Sequence, residues 1–305
     1  MPCERAEWTS SDDGWDHFDA AGCGLRNDGS IDCAGFDMTW TGPDRYVTLQ
    51  GGNGIPLCAV TENMVGRCWV FVYAAWDSVD IRFSFETAPG QAEQMVVAWD
   101  LRTPCALSPE GEIRCWIDLP SGEYTHDSPE AVERLQVADG TFGQIAGQGG
   151  ALVAVDATEG EVVVFEALDR PERTGVRGLS DLEASGGLFC GLSDAGAIQC
   201  GGACDLIPGL CSPPEGVFTD IAIWPHGCAV DPNGDITCWS EPDFMTDCGQ
   251  VEPPAGRRFA SVATGLTWSC ATDVDGWAVC WGNPGVDFLA VVGRTRKQSF
   301  DDRYR

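Results

Sequence analysis

Alternation of apolar and polar residues, the period of a half-buried β-strand, runs through this chain in short paired stretches that meet at a glycine. Five of them read CGLRNDGSIDC, CALSPEGEIRC, CGLSDAGAIQC, CAVDPNGDITC and CATDVDGWAVC, with glycine always six positions after the first cysteine. Each copy is predicted to be a β-hairpin. Its three-residue loop, such as Asn27-Asp28-Gly29 or Pro232-Asn233-Gly234, suits a type I turn closed by a left-handed glycine. That loop sets residues equidistant from its centre opposite one another, Cys23 facing Cys33 and Leu25 facing Ile31.

Six cysteine pairs share a separation of ten positions: Cys23-Cys33, Cys58-Cys68, Cys105-Cys115, Cys190-Cys200, Cys228-Cys238 and Cys270-Cys280. Directly opposed strand positions come within disulfide reach. Structural zinc sites usually draw on ligands only about two to four residues apart, a spacing that no pair here has. The expectation is therefore six hairpins stapled by disulfides. The stretch Val153 to Val164, VAVDATEGEVVV, fits the same frame with one residue inserted and an apolar residue at both cysteine positions, as the joint loss of a covalent pair requires. CAVTENMVGRC, from Cys58, lacks glycine at its usual place and is expected to be the weakest hairpin.

A further short strand is predicted ahead of the hairpins, with an aromatic or aliphatic residue, two small or polar ones and another aliphatic, as in Phe142 to Ile145, Leu179 to Leu182, Phe218 to Ile221 and Phe259 to Val262. The second hairpin strand often ends in tryptophan, at Trp69, Trp116, Trp239 and Trp281. Anchors at 23, 58, 105, 153, 190, 228 and 270 mark seven all-strand units. Repeats of roughly forty residues with several short strands are the signature of propellers. The predicted fold is an all-β, seven-bladed β-propeller forming one domain over 1–297, with a polar tail at 298–305.

The string SVATGLTWSCATDVDGWAVCWG, Ser261 to Gly282, resembles the repeat of the regulator-of-chromosome-condensation propeller superfamily. In its short blades the chain is similar to bacterial secreted members, among them a β-lactamase inhibitor propeller, and this resemblance implies a protein partner. Two departures matter. The paired cysteines are not part of the eukaryotic family's pattern, and the acidic composition is a poor match for docking on chromatin. Nucleotide exchange on a small GTPase is therefore not carried over.

Eighteen Lys and Arg stand against 47 Asp and Glu, a formal charge of −29, which repels a phosphate backbone. Nucleic acid is not an expected partner, and no apolar run is long enough for a membrane helix. Sixteen cysteines point to an oxidising compartment, so the expected location is extracellular, periplasmic or at the cell surface. The opening MPCERAEWTSSDDGW has no secretory signal pattern, and a signal or lipid anchor ahead of this numbering stays open. A monomer is expected. Of the four cysteines outside the hairpins, Cys204 and Cys211 bracket a Pro/Gly loop and are expected to pair. Cys3 and Cys248 are expected to pair where the N-terminal segment completes the last blade. The tail from Gly293 carries five of the eighteen basic residues and reads as a solvated end.

No catalytic, metal or cofactor motif stands out. Asp231-Pro-Asn-Gly-Asp235 alternates oxygen donors but lacks the distal glutamate of a calcium loop, and turn chemistry explains it. The histidines His17, His126 and His226 lie in no nucleophile context. The loops between the first strand and the first cysteine vary most, and three of them hold tryptophan. Because Trp and Arg are enriched at interface hot spots, Trp99, Arg102, Trp224, His226 and Trp268 are the candidate contact surface. The resulting expectation is a non-catalytic, secreted protein-binding propeller. A lectin-like module, or a lyase or hydrolase with acids near the channel, are the alternatives; a sugar site would repeat the same polar neighbours beside each tryptophan, and here they differ.

Overall fold

The computed structural model describes residues 6–10, 14–18, 23–33, 38–40, 44–51, 57–73, 81–88, 90–98, 103–116, 135–147, 151–205, 209–239 and 248–283. The tail 298–305 lies outside them. The alternating stretches form seven antiparallel sheets, the blades of a propeller. The blades start at the strands Trp15–Phe18, Tyr46–Gly51, Gln94–Ala98, Phe142–Ala146, Leu179–Ser185, Asp220–Ile223 and Phe259–Thr264. In each, this first strand pairs with the first arm of the predicted hairpin, and the two arms pair with each other.

Outer strands were not anticipated from the pattern. Met38–Trp40, Ile81–Thr87, Leu135–Val137 and Arg170–Arg177 add a fourth strand to the first four blades. The seventh blade takes its fourth strand from the start of the chain. Ala6–Thr9 pairs antiparallel with Ala278–Gly282, Trp8 opposite Cys280 and Ala6 opposite Gly282. This pairing closes the ring, as the placing of the N-terminal segment in the last blade anticipates. Among the described residues the fifth and sixth blades have three strands.

Every predicted hairpin register holds. Cys58, Cys105, Cys190, Cys228 and Cys270 stand opposite and bonded to their partners ten residues on. Cys23, also disulfide-bonded, faces Cys33. Cys204 bridges Cys211. Cys248 is disulfide-bonded, whereas Cys3 lies outside the described residues. In the fourth blade Val153 faces Val164 at the positions the cysteines hold elsewhere.

The residue three after the first cysteine position locks each turn. Thr61, Ser108 and Ser193 accept the N–H of Val65, Glu112 and Ala197 on their hydroxyls, and Asp231 and Asp273 accept those of Asp235 and Trp277 on their carboxylates. These side chains satisfy a turn donor that would otherwise need water. The first hairpin has Arg26 there instead, paired with Asp32 at 2.6 Å and lying over the Trp15 ring.

The turn glycine also joins one blade to the next. Its carbonyl accepts the N–H of the aromatic residue that opens the following blade: Gly29 from Tyr46, Gly111 from Phe142, Gly196 from Phe218, Gly234 from Phe259 and Gly276 from Trp15, at 2.8 to 3.1 Å. In the second blade Met64 occupies the glycine position with φ 60°. It makes the same bonds, donating to Thr61 and accepting from Ala92, so this hairpin keeps its geometry at the cost of a left-handed non-glycine residue.

The core lies between blades. Val96, Leu107 and Ile113 of the third pack with Phe142, Ile145 and Leu152 of the fourth, and Leu188, Leu192 and Ile198 of the fifth with Phe218, Ile221 and Ala229 of the sixth. Side chains of the first strands add polar ties around the ring. Gln94 accepts the N–H of Ile145, Asp181 that of Ile221 and Asp220 that of Val262. Asp181 sits at φ 49° in an irregular stretch of strand pairing, and burial pushes its carboxyl up to about 6.

The unstapled fourth blade is tied by charge. Arg173 on its outer strand reaches Asp156 at 2.9 Å and Glu161 at 3.1 Å, and Arg177 reaches Glu161 at 3.0 Å. The N–H of Glu159 holds the Asp156 carboxyl below its ordinary value against the effect of burial, and the N–H of Gly175 does the same for Glu161.

Candidate functional site

In the fifth, sixth and seventh blades the loops between first and second strands lie at the end opposite the glycine turns, because these blades run their strands up and down in the same order. Two of the three tryptophan loops fall among the described residues. In the sixth blade the chain leaves Ile223, passes Trp224 and re-enters the sheet at Gly227. The Trp224 N–H donates to the His226 carbonyl at 2.8 Å, which tightens the loop. The Trp224 indole is half-buried against the fifth- and sixth-blade core. In the seventh blade Trp268 is half-buried beside Trp15, Ala263 and Cys270. Its ring covers Gly265, where any β-carbon would strike it at 2.1 Å. Leu266 at the tip of that loop is 52 % exposed. Trp99 and Arg102 lie outside the described residues.

His226 is not a surface residue: it is 0 % exposed. It lies in the short loop between Ile223 and Gly227, whose Pro225 is also buried, and its imidazole is turned inward and offers no surface to a partner. Its Nε2 meets the Ser269 hydroxyl at 2.7 Å. That hydroxyl donates to the Gln250 carbonyl at 2.9 Å, so the imidazole carries its proton on Nε2 and donates to Ser269. Trp281 donates its indole N–H to the same Gln250 carbonyl at 2.8 Å, and the Gln250 side chain accepts the N–H of Cys248 at 2.7 Å.

This chain of bonds brings two of the predicted loops together. His226 is two residues from Trp224, Ser269 is the neighbour of Trp268, and their hydrogen bond spans the sixth and seventh blades. Gln250 lies outside the repeat and carried no sequence signal, and Ser269, although inside the repeat string Ser261 to Gly282, had nothing about it that pointed to a partner in another blade. Burial lowers the His226 pKa to about 3, which keeps the ring neutral. A serine beside a histidine suggests a nucleophile, but Ser269 is 0 % exposed, its proton is committed to Gln250, and His226 Nδ1 has no hydrogen-bond partner among the described residues. A triad needs an orienting carboxylate on that nitrogen.

The Asp231 loop is a filled turn. Asp231 Oδ1 accepts the N–H of Asn233 and of Asp235, and Oδ2 accepts the Asn233 amide. Among the described residues no group of three or more His, Cys, Asp or Glu side chains could hold a metal ion, and no helix is long and apolar enough to cross a membrane.

No protein-family model matches the chain, and no curated protein matches it. Solved structures do. The chain is similar to the CRINKLY WD40 ectodomain of the Arabidopsis thaliana receptor kinase ACR4, with TM-score 0.58 and 18% identity over 90% of this chain and 96% of that one. It is similar to Prp20p from Saccharomyces cerevisiae, with TM-score 0.58 and 15% identity over 96% and 83%. A third is the Cps50 (Swd1) β-propeller domain of Myceliophteria thermophila, with TM-score 0.54 and 13% identity over 92% and 99%. At these identities the likeness establishes the propeller fold.

Proposed function

We propose that this chain is an exported, non-catalytic propeller of the regulator-of-chromosome-condensation type that binds a protein partner through the loop end carrying Trp224 and Trp268. The observation that carries the reading is the His226–Ser269 bond, which couples two tryptophan loops of adjacent blades into one surface. Rigid aromatic anchors on a preorganised scaffold are the usual basis of interface hot spots. Trp99 and Arg102, in the equivalent loop of the third blade, are assigned to the same surface, with His226 as its support from beneath. Export rests on the bridged cysteines, which a reducing cytosol does not maintain. A protein partner accords with the neighbour Prp20p, described by its binding to Gsp1p and histones. The buried, fully committed Ser269–His226 pair is unsuited to attack on a substrate.

The test presents the oxidised protein, immobilised, to a glycan array and to exported proteins from its source. The same is done for a variant combining Trp224→Ala, Leu266→Arg and Trp268→Ala. A protein ligand retained by the parent and lost by the variant supports the reading, provided circular dichroism shows the variant folded. Retention of a glycan instead assigns the surface to a lectin and overturns it.

A further inference from the structure

Among the described residues the fifth blade stops one strand short, and its outer strand, Ile198–Gly202, has a neighbour on one side only. Ser193 donates to Ala197 and Ala203 donates to Gly187, so the odd-numbered positions between them turn their backbone groups inward to Leu188–Ser193. By the alternation of an antiparallel ladder, Ile198, Cys200 and Gly202 turn theirs outward. The Gly202 carbonyl is taken by the Cys204 N–H. The N–H groups of Ile198, Cys200 and Gly202 and the carbonyls of Ile198 and Cys200 have no backbone partner among the described residues. An edge of this kind is a template for another strand.

The same edge is filled elsewhere in the molecule. In the seventh blade, Cys280 and Gly282 hold the positions that Cys200 and Gly202 hold here. They pair with Trp8 and Ala6, a strand brought from the far end of the chain. This architecture therefore accepts at that edge a strand that does not follow from the blade's own hairpin. Beside the fifth-blade edge lies a groove of about 650 Å³ between Val164, Glu166, Glu172 and Arg173 of the fourth blade and Gly187 and Gly202 of the fifth. It meets the edge at Gly202, the end of the strand. The glycines put no side chain in the way. Arg173 is engaged by Asp156 and Glu161, whereas the exposed Glu166 and Glu172 have no ion-pair partner among the described residues.

We propose that the edge Ile198–Gly202 is a second binding site, which takes an extended, basic segment of a partner protein as the antiparallel fourth strand of the fifth blade. Backbone pairing supplies the attachment. Glu166 and Glu172, on a protein of net charge −29, select lysine or arginine in the incoming segment. The site belongs to the fourth and fifth blades, whereas Trp224 and Trp268 belong to the sixth and seventh, so it stands or falls independently of the function proposed for them.

The probe is a synthetic peptide of alternating threonine and valine flanked by lysines, titrated into the oxidised full chain, with amide hydrogen exchange as the readout. The expected result is saturable binding that protects the amides of Ile198 and Cys200 and weakens with salt. The same peptide N-methylated at the alternate nitrogens that face the edge should bind at least about tenfold more weakly, since each lost backbone bond costs of the order of 1 kcal/mol. Glu166→Gln with Glu172→Gln should weaken the parent peptide without changing the melting temperature. No binding, equal binding of the N-methylated peptide, or protection confined to the loops of Trp224 and Trp268 would overturn the proposal. So would protection already present in the free chain, if removing residues 284–305 abolished it or if it grew with protein concentration. The first outcome would give the edge to the chain's own tail and the second to another copy of the chain.

Discussion

The carbonyl of Gly234 accepts the N–H of Phe259 at 2.8 Å across the boundary between the sixth and seventh blades. Glycine is needed there on two counts. Its φ is +86°, and a β-carbon would sit 2.9 Å from the Phe259 nitrogen. Gly234→Ala therefore strains the turn and pushes the blades apart at once. A loss of about 1–3 kcal/mol is expected, measured by denaturant unfolding under non-reducing conditions.

Met64 presents the reverse case. It holds φ 60° where the other turns use glycine, and its side chain is 38 % exposed, so little packing is lost by removing it. Met64→Gly is expected to stabilise the protein by about 1 kcal/mol, the approximate cost of a left-handed residue with a β-carbon. A lower midpoint in thermal unfolding would show that the methionine packs more than its exposure implies.

Val153 and Val164 face each other in the one blade without a hairpin bridge. Val153→Cys with Val164→Cys should oxidise to a bridge in the same relation as Cys190 to Cys200. The closed loop is short, so a gain of roughly 2–3 kcal/mol is expected. Mass spectrometry of the unreduced peptides verifies the bond, and a melting temperature that rises only without reductant verifies its effect.

Asp181 makes one component of stability fall as pH rises. Its carboxyl titrates near 3.8 in the unfolded chain and at about 6 in the folded one. Below the lower value both states are protonated and nothing is lost. Between the two, the unfolded chain ionises first, and above about 6 the folded protein carries a buried charge at a cost of the order of 2–3 kcal/mol. Asp181→Asn keeps an oxygen for the Ile221 N–H and removes the charge. The difference in unfolding free energy between variant and parent should rise from pH 4 to pH 6 and then level off. Asp156, Glu161 and Asp231, with lowered pKa values, act in the opposite sense and cancel in that difference. A flat difference across the window would show that Asp181 is not desolvated.

The scaffold was legible because its signals are local. A glycine six residues after a cysteine and a second cysteine four beyond it define a turn, a register and a bridge within one hairpin, and five such copies with two variants of the same frame define a propeller. The substitution of Val153 and Val164 could be recognised because both members of a pair changed together. Of the candidate contact residues, Trp224 and Trp268 were singled out as tryptophans in variable loops, but residue type does not tell how deep a side chain lies. His226 read as part of the same surface and proved to be wholly enclosed.

Strand, turn, register and disulfide bridge follow from the sequence, since each depends on residues close together in the chain and repeats often enough to be recognised. The tertiary structure alone decided the register in which Ala6–Thr9 closes the ring on Ala278–Gly282. It also decided that Ser269 and Gln250 lock His226, that Met64 can serve as a glycine, and that the fifth blade has three strands among the described residues. Each of these depends on which blade meets which, and contacts between blades join residues far apart in sequence through backbone groups that every residue carries, leaving no periodic mark in the chain.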